Sequence, residues 1–271
     1  MSAPKPHSGA RPPAVAGSFY PGEPHALENM VGALLGEVHP SGKGDLLGLI
    51  APHAGYMYSG PVAASAFAEI AGARRSFARV LLVGPPHYVP VGGIAASSAA
   101  SFATPLGDIA VDEEAVASLI HAGLVSLYDR AHAPEHSLEV ELPFLQGVLG
   151  GFTLIPLLVG DAAPQQVADV IRAVMDRRTL LVVSTDLSHY LSDREAEARD
   201  LATASTIERL DYATLGPYDA CGYAALNGAL CAAQQNGWRV ARLDLRNSGR
   251  TSGDLSRVVG YGAWAFSAPR A

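Results

Sequence analysis

Three apolar segments of this sequence each lead into residues that can bind a metal ion or move a proton. The segments and the residues that follow them are 46–51 with His53, 80–84 with His87, and 180–184 with Asp186 and His189. Imidazole and carboxylate groups are ligands of transition metals and also act as acids and bases in catalysis. Ligands of open α/β sheets collect beyond the carboxyl ends of the strands, so we expect these side chains to meet there.

His53 and His87 have the same local arrangement, because each directly follows a proline. Proline restricts the backbone and fixes the direction in which the next side chain leaves the strand, which suits a metal ligand. The alternative is that each imidazole only bonds a turn carbonyl. A metal site with two imidazoles requires a third, anionic ligand, and the residues alone leave that role open between Asp186 and Cys221.

The two cysteines have different sequence environments. Cys221 stands where an Ala/Leu-rich helix should begin, and a helix N-terminus lowers the pKa of a thiol toward the thiolate that binds metals. The alternative for Cys221 is a small buried apolar side chain, which is our interpretation of Cys231, in mid-helix among alanines. Their spacing of ten residues points the two thiols to different helix faces, so a disulfide is not expected.

Other residues near these segments are candidates for proton transfer. His136 is flanked by Glu135 and Glu139, so it is interpreted either as a proton shuttle with a raised pKa or as a capped surface histidine. Asp186 and His189, three residues apart in one loop, can ligate a metal, orient a ligand or move a proton, with a helix cap as the alternative for Asp186.

Three tyrosines lie beside the candidate histidines in the sequence. They are Tyr56, Tyr58 and Tyr190. We expect them to line an aromatic substrate pocket, with ordinary surface packing as the alternative, since tyrosine commonly packs with its hydroxyl in water.

The elements that must position these residues alternate between apolar strands and amphipathic helices. The pattern predicts an α/β fold, a single domain with a mixed, mostly parallel sheet covered by helices on both faces. The predicted helices are 24–36, one opened by Ser59 and Pro61 and ending at 71, 113–121, 165–175, 193–210 and 223–235. The predicted strands are the three segments above together with 152–159, 240–245 and 258–266. Residues 1–10 are predicted to be a disordered tail and residues 11–271 the single domain.

Composition excludes several classes of protein. The net charge is −7 and the basic residues are scattered, so we expect no nucleic-acid partner. The N-terminus lacks a signal sequence and no apolar run reaches the roughly 18 residues of a membrane span, which predicts a cytoplasmic protein without membrane contact. The motifs of serine hydrolases, P-loop and dinucleotide-binding proteins, zincins and thioredoxin-like proteins are missing.

Six ordered segments together resemble the Memo family over residues 11–266. They are Arg11–Pro21, Pro52–Gly60 (P-H-A-G-Y-x-Y-S-G), Gly84–His87, Glu135–Glu139, Ser184–Tyr190 and Val259–Tyr261. Prokaryotic members are often described as protein B of a system named after Memo and a radical-SAM protein, so the resemblance implies a functional link to a radical-SAM protein.

The Memo family is similar in fold to class III extradiol (LigB-like) dioxygenases, non-haem iron enzymes that use two histidines and a glutamate. By motif, the resemblance implies a metal on His53, His87 and Cys221, with His136 and His189 as acid/base groups. Cys221 replaces the carboxylate of the dioxygenases. Because a thiolate is softer and more easily oxidised, this replacement favours copper, zinc or a redox role over ring cleavage.

The expected function is therefore that of a metal-dependent redox or dioxygenase-like enzyme. It would hold one transition-metal ion, with iron or copper favoured and zinc as the alternative, and a small-molecule or peptide ligand in the metal cleft. A second hypothesis is a non-catalytic module that binds a peptide or protein in the same cleft. A third, less favoured, is a zinc-dependent hydrolase with His189 as the base.

Overall fold

The structure, a computed structural model, describes residues 7–42 and 45–269. Its helices are α1 (Pro24–Gly36), α2 (Tyr56–Ala71), α3 (Glu113–His121), α4 (Asp129–His132), α5 (Leu142–Val148), α6 (Pro164–Val174), α7 (Asp193–Glu208), α8 (Tyr223–Gln235) and α9 (Gly249–Ser252), with a 3-10 turn at Glu139–Glu141. Its strands are β1 (His7–Arg11), β2 (Leu46–Ala51), β3 (Arg79–Gly84), β4 (Ile94–Ala96), β5 (Ala99–Thr104), β6 (Gly107–Ala110), β7 (Ser126–Leu127), β8 (Thr153–Val159), β9 (Thr179–Ser184), β10 (His189–Leu191), β11 (Arg239–Asn247) and β12 (Val258–Ser267).

A large mixed sheet forms the centre of the molecule. Its strand order is β10-β12-β2-β9-β3-β8-β4-β7, and β11 pairs with β12 as well. The central strands β2, β9, β3 and β8 are parallel, whereas β12 is antiparallel to β2 and β4 is antiparallel to β8. The buried parallel strands are continuous apolar runs because both of their faces are covered. The prediction of a mixed α/β sheet flanked by helices is confirmed.

Two groups of helices cover this sheet. Helices α1, α2 and α5 pack against one another, and α2 also packs on β2, β11 and β12. In the second group α6 packs on α8 and α8 on β9, while α7 packs on β11 and β12. No helix within residues 7–42 and 45–269 has both the length and the apolar character needed to cross a bilayer.

The register of the central strands brings their carboxyl ends to the same level. Ala51 at the end of β2 pairs with Ser184 at the end of β9, and Val83 near the end of β3 pairs with Val183. The segments that follow these three neighbouring strands therefore start side by side, which is where the candidate residues were expected to meet.

The N-terminal prediction is wrong for residues 7–10. These residues belong to β1, which pairs in parallel with β5, and β5 pairs with β6 in a small second sheet. Arg11 at the end of β1 is buried and donates hydrogen bonds to the carbonyl of His132 and to the carboxylate of Glu139. The segment is therefore ordered by tertiary contacts that its polar composition does not reveal. Residues 1–6 of the predicted tail lie outside the described residues.

Helix α2 begins at Tyr56, before the predicted start at Ser59 and Pro61. Gly55 occupies the N-cap position, and the backbone N–H of Tyr56 donates to the carbonyl of Phe19 at 2.7 Å. This tertiary hydrogen bond satisfies one of the first four backbone N–H groups, which have no partner within the helix itself. The hydroxyl of Ser59 instead donates to the carbonyl of Ala54, and Pro61 lies inside the helix.

His132 is a buried histidine in α4. Its Nε2 lies 3.0 Å from the carbonyl oxygen of Ala95 in β4, so Nε2 carries the proton and donates. Burial lowers the pKa of His132 from 6.5 to about 4.

We expect this histidine to make the folded protein sensitive to mild acid. Between pH 6.5 and pH 4 the unfolded chain binds a proton at His132 that the folded chain does not bind. The contribution of His132 to the free energy of unfolding is therefore fully present above pH 6.5 and is lost as the pH falls toward 4. The His132→Gln variant should lose about 3 kcal/mol less of its free energy of unfolding than wild type over this interval. Urea unfolding at several pH values measures the difference, with His121→Gln, on the exposed end of α3, as the control. Parallel pH profiles for wild type and His132→Gln would contradict the prediction.

Candidate metal centre

Three histidines from different parts of the chain form a cluster at the carboxyl ends of the central strands. His53 follows β2, His87 follows β3, and His136 comes from the loop before the 3-10 turn. Each offers one ligand atom, and these atoms all lie within 4.8 Å of one another. The rings of His87 and His136 are stacked with centroids 4.7 Å apart, and the His53 ring stands edge-on to both. The structure thus brings His136 into direct contact with the predicted ligands.

Glu135 orients His87. Its Oε1 lies 2.9 Å from His87 Nδ1, and the carboxylate also accepts from the backbone N–H groups of His87, His136 and Ser137. Burial opposes ionisation, but the bonds from His87 and from the backbone N–H groups outweigh it and lower the pKa of Glu135 to about 2. An ionised carboxylate can only accept, so His87 Nδ1 carries the proton and Nε2 keeps the lone pair that binds a metal.

His53 is buried beneath the cluster. Its backbone N–H donates to Asp186 Oδ1 at 2.8 Å, and its Nδ1 lies 2.7 Å from the hydroxyl of Ser184. Its Nε2 lies 3.4 Å from Sγ of Cys221. Burial, followed by the neighbouring His87 and His136, lowers the pKa of His53 well below its ordinary value. His53 is therefore a neutral imidazole at neutral pH, the form that ligates a metal.

His136 differs from the sequence expectation in its electrostatics. Burial lowers the pKa of His136 to about 4, although Glu135 acts in the opposite direction. The expectation of a raised pKa is wrong, because the loss of hydration outweighs the nearby carboxylate. His136 Nδ1 is buried and has no hydrogen-bond partner among the described residues, although it lies 3.3 Å from Glu135 Oε1. An unpartnered basic nitrogen in this cluster is a donor still available to an ion.

Cys221 lies next to His53, in the turn immediately before α8. Its Sγ accepts from the backbone N–H of Asp186 at 3.3 Å, and the turn is packed closely on the end of β9. A side chain at the following residue, Gly222, would come within 2.8 Å of both Thr185 and the carbonyl oxygen of Ser184. Burial and then the Asp186 carboxylate raise the pKa of the Cys221 thiol. The expected lowering by the helix N-terminus is thus outweighed, and the thiol of the metal-free protein is protonated.

Asp186 lies in the loop between β9 and β10, and His189 is the first residue of β10. Burial raises the pKa of Asp186 to about 6, against the lowering effects of His189 and of the bond from the His53 backbone. His189 Nδ1 lies 2.8 Å from the carbonyl oxygen of Leu187. A carbonyl only accepts, so Nδ1 carries the proton and Nε2 is left as the basic nitrogen.

A cleft of about 800 Å³ opens beside these residues. His136, Asp186 and His189 line it, together with the three tyrosines that the sequence suggested for a pocket. Tyr56 is buried and donates its hydroxyl to the carbonyl of Val140 at 2.7 Å, whereas Tyr58 and Tyr190 are 38% and 63% exposed. The guanidinium of Arg257 lies 4.6 Å from the centroid of the Tyr190 ring, at the mouth of the cleft.

Buried Glu139 fastens the N-terminal segment to the cluster. Its carboxylate accepts from Arg11 Nη1 at 2.7 Å, from the backbone N–H groups of Ala14 and Val15, and from the hydroxyl of Tyr20 at 2.6 Å. Arg11 also donates to the carbonyls of His132 and Glu135. These bonds hold Phe19 edge-on against the His136 ring, with centroids 4.8 Å apart.

Sequence reasoning did not select Glu135, Glu139 or Ser184 as residues of the site. Glu135 and Glu139 were considered only for their effect on His136, yet each is almost completely buried and saturated with donors. The signal was present in the segment Glu135–Glu141, where three glutamates stand close to the buried apolar residues Leu138 and Val140. Acids in an apolar segment require specific partners, but the sequence does not name those partners.

The donor set fits a transition-metal ion. His53, His87 and His136 supply neutral or unpartnered nitrogens, and Cys221 supplies a soft sulfur donor. Two donors that share one ion at bond lengths of about 2.0–2.3 Å are roughly 3.5 Å apart, close to the Cys221–His53 separation of 3.4 Å.

Comparison with known proteins identifies extensive sequence similarity. The profile of the family described as Memo-like protein matches residues 11–265. A MEMO1 family protein of Nitrosopumilus maritimus (strain SCM1) is 33% identical over 276 residues, covering 94% of this chain and 99% of that protein. MEMO1 family proteins of Thermotoga neapolitana and Methanopyrus kandleri are each 34% identical, covering 93% and 94% of this chain and 97% and 98% of those proteins.

Replacing Glu139 should destabilise the protein strongly. In the Glu139→Gln variant the buried Arg11 guanidinium has no carboxylate partner, and the new amide N–H group faces groups that also donate. The free energy of unfolding should fall by about 3–5 kcal/mol. Tyr20→Phe removes one hydrogen bond from the same carboxylate and should cost only about 1 kcal/mol. Urea unfolding compares the two variants. A loss below about 1 kcal/mol in Glu139→Gln would show that the buried pair contributes little.

Proposed function

The chain belongs to the Memo family, and we propose that it binds one transition-metal ion and uses it in a redox or dioxygenase-like reaction. The ligands in this proposal are His53, His87 and Cys221, and the ion is iron or copper, with zinc as the alternative. The observation that carries the proposal is the meeting of three histidines and a thiol beyond the ends of β2, β9 and β3.

The hydrogen bonds around the donors support this ligand set. Glu135 holds the His87 ring through Nδ1, and Ser184 contacts the Nδ1 of His53, so Nε2 of each ring is available for an ion. Cys221 Sγ stands beside His53 Nε2 at a separation suited to a shared ion. The ring of His136 is stacked on that of His87. His136 is proposed either as a fourth ligand of the ion or as a group that contacts a molecule bound to the ion.

A bound iron or copper ion would supply one-electron chemistry and activate a ligand at an open position. The thiol of Cys221 must lose its proton when it binds the ion, because the thiolate is the ligating form. Asp186 is the nearest carboxylate to that thiol, and its raised pKa of about 6 suits it to accept a proton.

His189 is proposed as the acid/base group that faces the substrate. Its Nδ1 donates to the carbonyl of Leu187, which leaves the lone pair on Nε2, and its side chain lines the cleft. His136 also lines the cleft and is proposed to share this role, with Phe19 packed edge-on against its ring.

The cleft supports a small-molecule or peptide ligand. Tyr56, Tyr58 and Tyr190 offer aromatic surface, and Arg257 stands at the mouth. The functional link to a radical-SAM protein is proposed from the family resemblance alone.

Non-catalytic binding is a second candidate, favoured by one specific observation. Met57, Tyr58 and Tyr190 are large apolar or aromatic side chains that remain 70%, 38% and 63% exposed at the cleft. Such groups are enriched where proteins bind partners. A peptide ligand that binds equally well to wild type and to a variant lacking His53, His87 and Cys221 would favour this function over a metal-dependent one.

Metal titration of untagged protein tests the proposed ligands. We expect one iron or copper ion per chain in wild type. His53→Ala and His87→Ala should each weaken binding by at least about 100-fold, since substitutions of outer groups already cost 10–100-fold. His25→Ala, on the exposed start of α1, is the control. Wild-type protein that stays empty after incubation with iron(II) and with copper would contradict the proposal.

Optical spectra and metal affinity separate Cys221 from His136 as the third ligand. We expect copper-loaded wild type to show the charge-transfer absorption of a metal-bound thiolate, and we expect Cys221→Ser to lack this band and to bind the ion at least about 10-fold more weakly. Cys231→Ser, which removes the other thiol, buried in α8, is the control. A spectrum without the band, together with binding that is weakened in His136→Ala and unchanged in Cys221→Ser, would instead assign the third position to His136.

A further inference from the structure

The hydroxyl of Ser184 at the end of β9 has three buried hydrogen-bond partners. They are His53 Nδ1 at 2.7 Å, the carbonyl oxygen of Ser137 at 2.6 Å and Glu141 Oε1 at 2.7 Å. Ser184, Ser137 and Glu141 are 0% exposed and His53 is 1% exposed. A hydroxyl donates one hydrogen and accepts two, so these partners use its full capacity and only one of them receives its hydrogen.

The chemistry of the partners decides which one receives the hydrogen. The Ser137 carbonyl can only accept, and at 2.6 Å it would repel the Ser184 oxygen if no hydrogen lay between them. Ser184 therefore donates to Ser137, and His53 and Glu141 must both donate to Ser184. A carboxyl group donates only when it is protonated.

The surroundings of Glu141 are consistent with a neutral acid. Its Oε2 is buried and has no hydrogen-bond partner within residues 7–42 and 45–269, which is costly for an ionised carboxylate. Burial and the Asp186 carboxylate raise the pKa of Glu141 well above its ordinary value. The other titratable group that faces it is Tyr56, whose hydroxyl donates to Val140 rather than to Glu141.

We infer that Glu141 is a protonated carboxylic acid in the folded protein and that it donates to Ser184 Oγ. Through Ser184 it is a positioning residue for His53: it keeps the hydrogen of that ring on Nδ1 and the lone pair on Nε2, beside Cys221. The inference rests on the proposed function only in treating His53 as a metal ligand.

Infrared spectroscopy of metal-free protein at pH 8 tests the protonation state. A protonated glutamic acid gives a carbonyl stretching band that ionised carboxylates lack and that shifts in D₂O. We expect this band in wild type, and we expect it to move when the glutamate carboxyl carbons are labelled with ¹³C and to disappear in Glu141→Gln. It should persist in Asp186→Asn, which removes the neighbouring acid. The ¹³C experiment needs no variant, because the label shifts glutamate bands and leaves aspartate bands in place. A spectrum without a ¹³C-glutamate-sensitive band, or with one that survives Glu141→Gln, overturns the inference.

Metal affinity tests the positioning role. Glu141→Gln keeps the shape and a neutral donor, so it should bind the ion within about twofold of wild type. Glu141→Leu has no donor and should bind the ion roughly 10–100-fold more weakly, which is the usual effect of replacing a group that orients a metal ligand. Thermal unfolding shows whether both variants fold, and ¹⁵N NMR of the wild-type histidines should show His53 protonated on Nδ1 only. Equal affinities of the two folded variants, or a His53 ring protonated on Nε2, overturn the positioning role.

The two experiments separate this inference from the proposed function. Wild-type protein that binds no metal but shows the glutamic acid band contradicts the proposed function and leaves the protonation of Glu141 established. Metal binding without the band contradicts only the inference.

Discussion

The parallel pairing of β2, β9 and β3 is the constraint on which the candidate site depends. Their register ends the three strands at one level, so the short segments after them start within a few ångströms of one another. His53, His87 and Asp186 converge because each follows closely on the end of its strand, and the turn before α8 brings Cys221 to the same place. This arrangement buries polar groups at the edge of an apolar sheet, and each buried polar group requires a hydrogen-bond partner.

Three glutamates between residues 135 and 141 meet that requirement in different ways. Glu135 accepts from His87 and from backbone N–H groups, and Glu139 faces Arg11 and three further donors. In the part of the chain that the structure describes, the carboxyl of Glu141 has one hydrogen-bond partner, the hydroxyl of Ser184, and that hydroxyl donates its hydrogen to Ser137. One short segment therefore contains an ionised acid that orients His87, an acid paired with arginine that fastens the N-terminal segment, and, by our inference, a neutral acid behind His53. This segment links the proposed metal ligands to the wall of the cleft.

Much of the fold could be predicted because it depends on local pattern. The central strands are uninterrupted apolar runs, and α1, α3 and α8 begin and end within a residue of the predicted bounds. Predictions failed where a distant contact overrides the local signal. The start of α2 is stabilised by the carbonyl of Phe19, and β1 is ordered by its pairing with β5, and neither partner is near in sequence. The pKa predictions for His136 and Cys221 failed for the same reason, since burial is a property of the folded chain.

The sequence by itself determined the α/β class, because the spacing of apolar residues encodes strands and helices directly. Its ordered motifs identified the Memo family, and it supplied the candidate donors that follow the strands. Only the tertiary structure decided which donors meet. It places His136 beside His53 and His87. It also places Glu135 at Nδ1 of His87 and Ser184 at Nδ1 of His53. Protonation states also depend on the tertiary structure, because folding removes water from these groups and supplies their hydrogen-bond partners. Those partners lie more than 40 residues away in the chain, as Glu135 does from His87 and Glu141 from Ser184.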